Sequence, residues 1–203
     1  MNTLKLTKLE DYTISTNLDH WYAISTPEQR NEGLGWYHEA QLFCRTLSRT
    51  HGISSYVVAS VLSALSPNNK WDRNKIDCEA VLMAWKQGEP PESVKCCTYN
   101  ANKIKAFSIL EGWRKIETTS PKTHAFAMNV GLNSPDHVTI DKWMIRACIV
   151  RAYDGIVPTV ETITPKQYRR VEAITVQLAH AWGLTGYQLQ AIIWVTIKAH
   201  WGR

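Results

Sequence analysis

The chain has 203 residues, of which 44% are hydrophobic, and its formal net charge is +5. That length suffices for one domain with a buried core. No stretch of the sequence reaches the roughly 18 uninterrupted apolar residues of a membrane span, and none has the apolar run of a signal peptide. We therefore expect a cytoplasmic protein without a membrane partner. The modest positive charge permits phosphate contacts but does not require them.

Helical patterns extend almost throughout the chain, and no useful length of sequence has the two-residue alternation of a strand. In chain order, the predicted helices cover residues 27–51, 56–65, 72–86, 100–113, 121–130, 141–153, 165–182 and 186–201. The apolar residues of the third of these have helical spacing and predict its packed face: Ile76, Ala80, Leu82, Met83 and Ala84. Residues 154–164 are predicted to be irregular.

Turn-forming residues separate the predicted helices, as at Gly52, Pro67–Asn69 and Gly88–Pro91. Nothing marks any of these breaks as a flexible linker, so we predict a single all-α domain over residues 1–203. Within it we expect two lobes flanking a cleft. Residues 54–153 would form one lobe, and residues 1–53 with 154–203 would form the other.

The cysteines show no pattern of a metal site. The five cysteines include only one close pair, Cys96 and Cys97, and no Cys/His grouping has zinc spacing, so we predict reduced structural thiols, no metal and no cofactor.

Nine tryptophans are many for this length. Those in helical stretches are predicted to lie in the core: Trp85, Trp182 and Trp194. Those with polar or charged neighbours are predicted to be partly exposed: Trp36, Trp71, Trp113 and Trp143.

Three segments carry the residue types of a chemical or binding site. In residues 61–75 an apolar helix leads into a polar turn, whose amides, tryptophan and cations are Asn68, Asn69, Lys70, Trp71, Arg73 and Lys75. Residues 121–126 place Lys122 in the first turn of a helix. Residues 131–143 place Asp141 at another helix start, after a loop rich in Gly, Pro and Asn.

The order of these segments resembles that of the helix-hairpin-helix DNA glycosylases, over residues 56–152 or nearly half of the chain. Ser63-Ala64 is similar to the start of the family's wedge-bearing turn. Lys122-Thr123 stands where bifunctional members have a Schiff-base lysine, and Asp141 stands where the family has its essential aspartate. The resemblance implies a two-lobed helical fold and catalytic roles for Asp141 and Lys122.

Two parts of the family pattern are replaced. The hairpin sequence Pro-Gly-hydrophobic-Gly is replaced by residues 117–120, so the implied DNA anchor would consist of Thr118, Thr119 and Ser120 without glycine. Because glycine lets backbone N–H groups approach a phosphate closely, this anchor is altered. Leu65 replaces the wedge glutamine, which leaves Asn68, Asn69 and Trp71 as candidates for filling the gap left by a flipped base.

Simple structural roles compete with each functional one. Asp141 can act only as a helix cap, and Lys122 only as a solvated surface lysine. The asparagines can serve turns, and the cations can form a solvated face. A catalytic carboxylate, by contrast, would stabilise the positive charge that develops on the sugar when an N-glycosidic bond breaks.

Three functions follow as alternatives, each with double-stranded DNA as the partner. The first is a DNA glycosylase that flips a base and excises it. The second is a transferase on the same scaffold that hypermodifies a pyrimidine base and uses a small-molecule co-substrate, as in some phage enzymes, which would act in the host cytoplasm. The third is a DNA-binding protein without catalysis.

Overall fold

The computed structural model describes residues 6–118, 120–151 and 162–201, and all regular structure in these ranges is helical. The α-helices are α1 (Asp11–Ala23), α2 (Pro27–His51), α3 (Ser55–Leu65), α4 (Trp71–Lys86), α5 (Asn100–Leu110), α6 (Pro121–Gly131), α7 (Lys142–Ile149), α8 (Pro165–Ala181) and α9 (Gly186–His200). Short 3-10 turns occupy Leu6–Lys8, Pro91–Ser93 and Ile116–Thr118. The all-α prediction is confirmed for the described ranges. None of the helices in them is both long and apolar enough to cross a membrane.

The predicted helix starts agree closely with the structure, whereas two predicted ends are too late. Helix α5 ends at Leu110 instead of residue 113, and α7 ends at Ile149 instead of residue 153. Helix α1 has no counterpart among the predicted helices. Most of the loop predicted over residues 154–164 lies outside the described residues.

Local side-chain chemistry explains where the helices of the predicted site begin and end. Ser54 caps α3 by accepting from the backbone N–H of Val57 at 3.2 Å. After α3 the chain turns through Asn68, whose φ of 59° is a left-handed conformation that asparagine tolerates. Pro121 occupies the first turn of α6, where its missing N–H costs nothing.

The chain divides into two compact units, which we call the terminal unit (Met1–His38 and Pro135–Arg203) and the central unit (Glu39–Ser134). These boundaries differ from those of the expected lobes. In particular, α7 and the loop before it fall in the terminal unit, because α7 packs against α1 and α9. The two segments predicted to carry catalytic residues therefore belong to different units, Asp141 to the terminal one and Lys122 to the central one.

The terminal unit has an apolar core between its helices. Ile14, Leu18 and Trp21 recur at helical spacing on α1 and are fully buried. Helix α2 approaches α9 so closely at Gly33 that a Cβ atom there would lie 2.6 Å from the Cα of Ile192. Any side chain at position 33 would therefore force the two helices apart.

The central unit is built around α3, which is buried from Val58 to Leu65 and packs against α5 and α6. The predicted packed face of α4 is wrong in part, because Ile76 and Met83 are 57% and 49% exposed. The residues that α4 buries are Asn74, Asp77, Cys78, Val81, Leu82 and Ala84. Apolar spacing failed here because the inward face carries a hydrogen-bonded amide and carboxylate.

The tryptophan predictions also need correction. Trp182 is 44% exposed, and its indole donates to Asp19 at 2.9 Å instead of packing in the core. Trp85 and Trp194 are half-buried. Among the described residues, the buried tryptophans are Trp21 and Trp201.

Candidate functional site

Asp141 caps the first turn of α7 in the terminal unit. One carboxylate oxygen, Oδ1, accepts from the backbone N–H groups of Trp143 and Met144, each at 2.9 Å. The three preceding residues are buried, and the N–H of Ile140 donates to the hydroxyl of Tyr168 at 3.0 Å. The main chain is therefore fixed on both sides of the carboxylate.

The second carboxylate oxygen has a donor of its own. The indole N–H of Trp194, on α9, donates to Oδ2 of Asp141 at 3.0 Å. A helix cap needs only one oxygen, so this bond goes beyond capping. Because N–H groups bond to both oxygens, the carboxylate has a defined orientation.

Aromatic rings surround the Trp194 end of this arrangement. The ring of Trp36 lies 6.2 Å from that of Trp194, centroid to centroid, and 4.8 Å from that of Tyr37. The ammonium of Lys198 lies 3.8 Å from the centre of the Trp194 ring, a cation–π contact. Trp36 and Trp194 are only half-buried, so part of each side chain reaches solvent.

Tyr37 forms a buried polar anchor next to these rings. Its hydroxyl donates to Oε1 of Gln190 at 2.7 Å. Burial raises the pKa of Tyr37 above its usual value, and the nearby carboxylate of Asp141 adds to the rise. The phenol therefore remains a neutral hydrogen-bonding group and holds α2 to α9 within the terminal unit.

The charge of Asp141 has no cationic partner in the part of the chain that the structure describes. Within those residues, no lysine, arginine or histidine nitrogen lies at ion-pair distance from its carboxylate. Its hydrogen-bond donors are neutral backbone and indole N–H groups. The group is thus a half-buried carboxylate that is oriented by dipoles and not neutralised by a described cation.

In the central unit, the turn between α3 and α4 is organised by Asp77, a fully buried carboxylate that the sequence does not single out. Its Oδ1 accepts from Nε of Arg73 at 2.8 Å. Its Oδ2 accepts from the amide of Asn69 at 2.9 Å and from the backbone N–H of Cys97 at 2.8 Å. Two of the predicted DNA-binding residues, Asn69 and Arg73, therefore support the turn internally.

The other predicted DNA-binding residues of this segment do not bond to Asp77. Lys70 is exposed, and Asn68 is exposed with its amide donating to the hydroxyl of Tyr99 at 3.1 Å. Lys75 pairs with Asp72 at 2.9 Å, but the Asp72 side chain is 90% exposed, so water screens this pair strongly. Trp71 is half-buried, with the Lys75 ammonium 5.4 Å from its ring centre. Lys70 and Lys75 are the cations of this segment that do not bond to Asp77.

The predicted hairpin anchor leads into α6 of the central unit. Ser120 and Thr123 form a reciprocal capping box, in which each hydroxyl accepts from the other residue's backbone N–H at 3.3 Å. Lys122 is exposed in the first turn of the helix. Thr119 and the side chain of Thr118 lie outside the described residues. The capping box occupies two N–H groups that a phosphate anchor would otherwise use.

The sequence points to Asp141 but not to the residues that orient it. Its patterns predict a core position for Trp194 and do not single out Tyr37. A carboxylate and an indole 53 positions apart give no local signal of their contact. No group of three His, Cys, Asp or Glu side chains in the described ranges could hold a metal ion.

The geometry defines a helical protein with an oriented carboxylate in its terminal unit and a polar, cation-bearing turn in its central unit. Comparison with protein families places residues 1–201 within a family of unknown function, DUF7178, and the chain belongs to that family. No curated protein and no solved structure shows significant similarity to the chain.

Proposed function

We propose that the protein is a DNA-base enzyme that takes a nucleotide out of duplex DNA and cleaves its N-glycosidic bond. One observation carries this proposal. The carboxylate of Asp141 has both oxygens held by N–H donors, yet no cation of the described residues neutralises it. Such a group is suited to stabilise positive charge that appears only during a reaction.

The chemistry follows from the charge. When the bond between the base and the sugar breaks, its electron pair leaves with the base and the sugar carbon becomes cationic. The Asp141 carboxylate would stabilise that cation and accept a proton from water as the hydroxyl adds to the sugar carbon, and the proton would then pass to the departing base anion, which leaves as the neutral base. The half-buried rings of Trp36 and Trp194 offer faces on which a base or sugar would pack.

Binding of the duplex is assigned to the turn of the central unit. Lys70 and Lys75 would hold phosphates, while Trp71 and Asn68 would approach the base stack. Arg73 contributes mainly by supporting the turn, because its guanidinium is already bonded to Asp77. Lys122 is exposed in α6 and lacks the burial that usually converts a lysine into a nucleophile, so we propose excision without a Schiff base.

A base-modifying transferase is the second candidate, because the α6 capping box departs from the hairpin of the glycosylase pattern. The N–H groups of Ser120 and Thr123 bond within the helix start, so the expected hairpin phosphate anchor is weakened. An enzyme that acts on a substituent of the base would still need base flipping and a positioned carboxylate. It would also need a small-molecule co-substrate.

The decisive experiment incubates the protein with duplexes that contain a damaged base, uracil or a hydroxymethyl-pyrimidine, followed by mass analysis of the nucleosides. Release of a free base identifies excision, and a heavier nucleoside identifies transfer when candidate co-substrates are present. Binding of the duplexes without either product would contradict both enzymatic proposals and leave a DNA-binding protein.

A further inference from the structure

Trp113 is the most exposed large aromatic side chain in the described residues, with 83% of its surface accessible. It lies just beyond the end of α5 in the central unit. Burial of an indole removes a large apolar area from water, so a tryptophan left outside forgoes that stabilisation. The turn that holds Trp113 is nevertheless well defined by its backbone hydrogen bonds.

The end of α5 is a Schellman motif. Gly112 has a φ of 75°, its N–H donates to the carbonyl of Ile109 at 3.1 Å, and the N–H of Trp113 donates to that of Ser108 at 3.0 Å. An apolar residue at the position of Trp113 usually folds back onto the last turn of the helix. Here the indole stays in solvent instead. The motif therefore leaves the ring of Trp113 exposed to solvent.

Cations accompany the indole. Arg114 follows it directly and is exposed, and Lys105 on α5 is half-buried. Burial and the charge of Arg114 lower the pKa of Lys105, which indicates that the two cations repel one another. Neither has a carboxylate at ion-pair distance within the described residues. An anion bound between them would relieve this repulsion.

The neighbouring acids keep their charge, but their carboxylates bond to other residues and not to these cations. Glu111 accepts from the indole N–H of Trp85 at 2.8 Å, and Glu117 from the hydroxyl of Tyr56 at 3.4 Å, so both are engaged elsewhere. A single indole among charged side chains has too little apolar area for a membrane surface. An aromatic ring with separate cations is instead the combination that binds single-stranded nucleic acid.

We propose that Trp113, Lys105 and Arg114 form a contact site for unpaired nucleic acid, where the indole stacks on a base and the cations bind the adjacent phosphates. The site shares no residue with the surroundings of Asp141 or with the turn between α3 and α4. It would bind a displaced or unpaired strand. The inference rests on the proposed function for the class of ligand, but its test requires no catalysis.

The test measures binding of the full-length protein to a labelled oligothymidine of about 12 nucleotides, a length within the usual range for such sites, by fluorescence anisotropy at several salt concentrations. Trp113→Ala is expected to weaken binding roughly 5- to 100-fold, which is the usual effect of removing one stacking partner, whereas Trp113→Phe retains most of the affinity. The double variant Lys105→Gln/Arg114→Gln should lower the salt slope by about 0.7 for each phosphate that it no longer binds.

Matched controls make the result specific. Tyr12→Ala removes another aromatic side chain, 78% exposed and in the terminal unit, and should leave affinity unchanged. Circular dichroism checks that every variant folds. The proposal is overturned if wild type does not bind the oligomer at low salt, or if Trp113→Ala binds it as tightly as Tyr12→Ala does. It is also overturned if Trp113→Ala weakens binding to anionic lipid vesicles and leaves the affinity for DNA unchanged. Absence of base excision with retained oligomer binding would refute the proposed function alone.

Discussion

Two carboxylates, one in each unit, each accept three hydrogen bonds from described residues and yet differ in charge balance. Asp77 in the central unit is fully buried, and one of its donors is the guanidinium of Arg73. Asp141 in the terminal unit is half-buried, and these donors to it are neutral N–H groups. The charge of Asp77 is therefore compensated by Arg73, whereas the carboxylate of Asp141 is held in a fixed orientation without a compensating charge.

This difference indicates which carboxylate is structural and which is available for chemistry. The buried carboxylate of Asp77 is paired with the partly exposed guanidinium of Arg73 at 2.8 Å, so its charge exerts little field on anything else. A carboxylate that is fixed by dipoles retains its charge for a cation that arrives or forms later. Hydrogen-bond number alone does not separate the two residues, because it is the same for both.

Asp141→Asn should have the largest effect on activity. The change preserves shape and the capping oxygen, removes the charge and leaves the indole N–H of Trp194 facing an amide NH2, so excision should fall by roughly two to four orders of magnitude. Duplex binding should persist or tighten, because a negative charge near phosphates is gone. Single-turnover assays and anisotropy measure the two quantities. Unchanged activity in a folded variant would reduce Asp141 to a helix cap.

Asp77→Ala should have the largest effect on stability. It removes the acceptor of Asn69 and of the Cys97 N–H and leaves Arg73 without its partner, so the free energy of unfolding should drop by about 2–4 kcal/mol. Urea titration at neutral pH measures this drop. Asp72→Ala is the control, because its side chain is 90% exposed and its pair with Lys75 is worth at most about 1 kcal/mol. Equal destabilisation of the two variants would contradict a structural role for Asp77.

Trp194→Phe should have an intermediate effect, because it removes the N–H bonded to Oδ2 of Asp141 and retains an aromatic ring. We expect excision to fall about tenfold, since the variant lacks one charge-assisted hydrogen bond of typical strength. Trp182→Phe is the matched control. It removes an indole N–H that donates to Asp19 at 2.9 Å and not to Asp141. Equal activities in the two variants would show that Oδ2 needs no fixed donor.

Substitutions in the cation-bearing turn should have the smallest effect. Lys70→Ala/Lys75→Ala should lower the slope of log affinity for duplex DNA against log salt by about two units, near one per phosphate. Arg73 is excluded from this variant because its removal would disturb Asp77. Lys166→Ala, an exposed lysine on α8, should leave the slope as it is. A slope unchanged by the double substitution would mean that these lysines only solvate the surface.

The sequence is informative where the signal is local. Helix starts can be predicted because the cap Ser54 and the first-turn residue Pro121 each act on their own first turn. The position of Asp141 as a cap follows from the same local chemistry. Helix ends are harder, and the end of α5 is predicted too late because apolar residues continue past the Schellman turn at Gly112 to Trp113.

The complete environment of each carboxylate could not be predicted, because one donor to each comes from a distant part of the chain. Trp194 reaches Asp141 from another helix, and the Cys97 N–H reaches Asp77 from a segment 20 residues away. Apolar spacing on α4 is also misleading, because a polar residue with all its partners can be buried as completely as leucine. The charge of Asp77 is compensated by Arg73, which is only four positions away on α4, whereas the burial of Asp77 and the indole donor of Asp141 depend on distant residues.

The most direct test asks whether the Asp141 carboxylate can bind a positive charge placed in the DNA. It compares two duplexes that lack a base at one position, so the target base need not be known. One carries a neutral tetrahydrofuran in place of a nucleoside, and the other a cationic pyrrolidine of the same shape. An available carboxylate predicts that wild type binds the cationic duplex about tenfold or more tightly than the neutral one, and that Asp141→Asn abolishes this preference. If wild type and Asp141→Asn show the same ratio of affinities, Asp141 does not act on positive charge and its proposed role is contradicted.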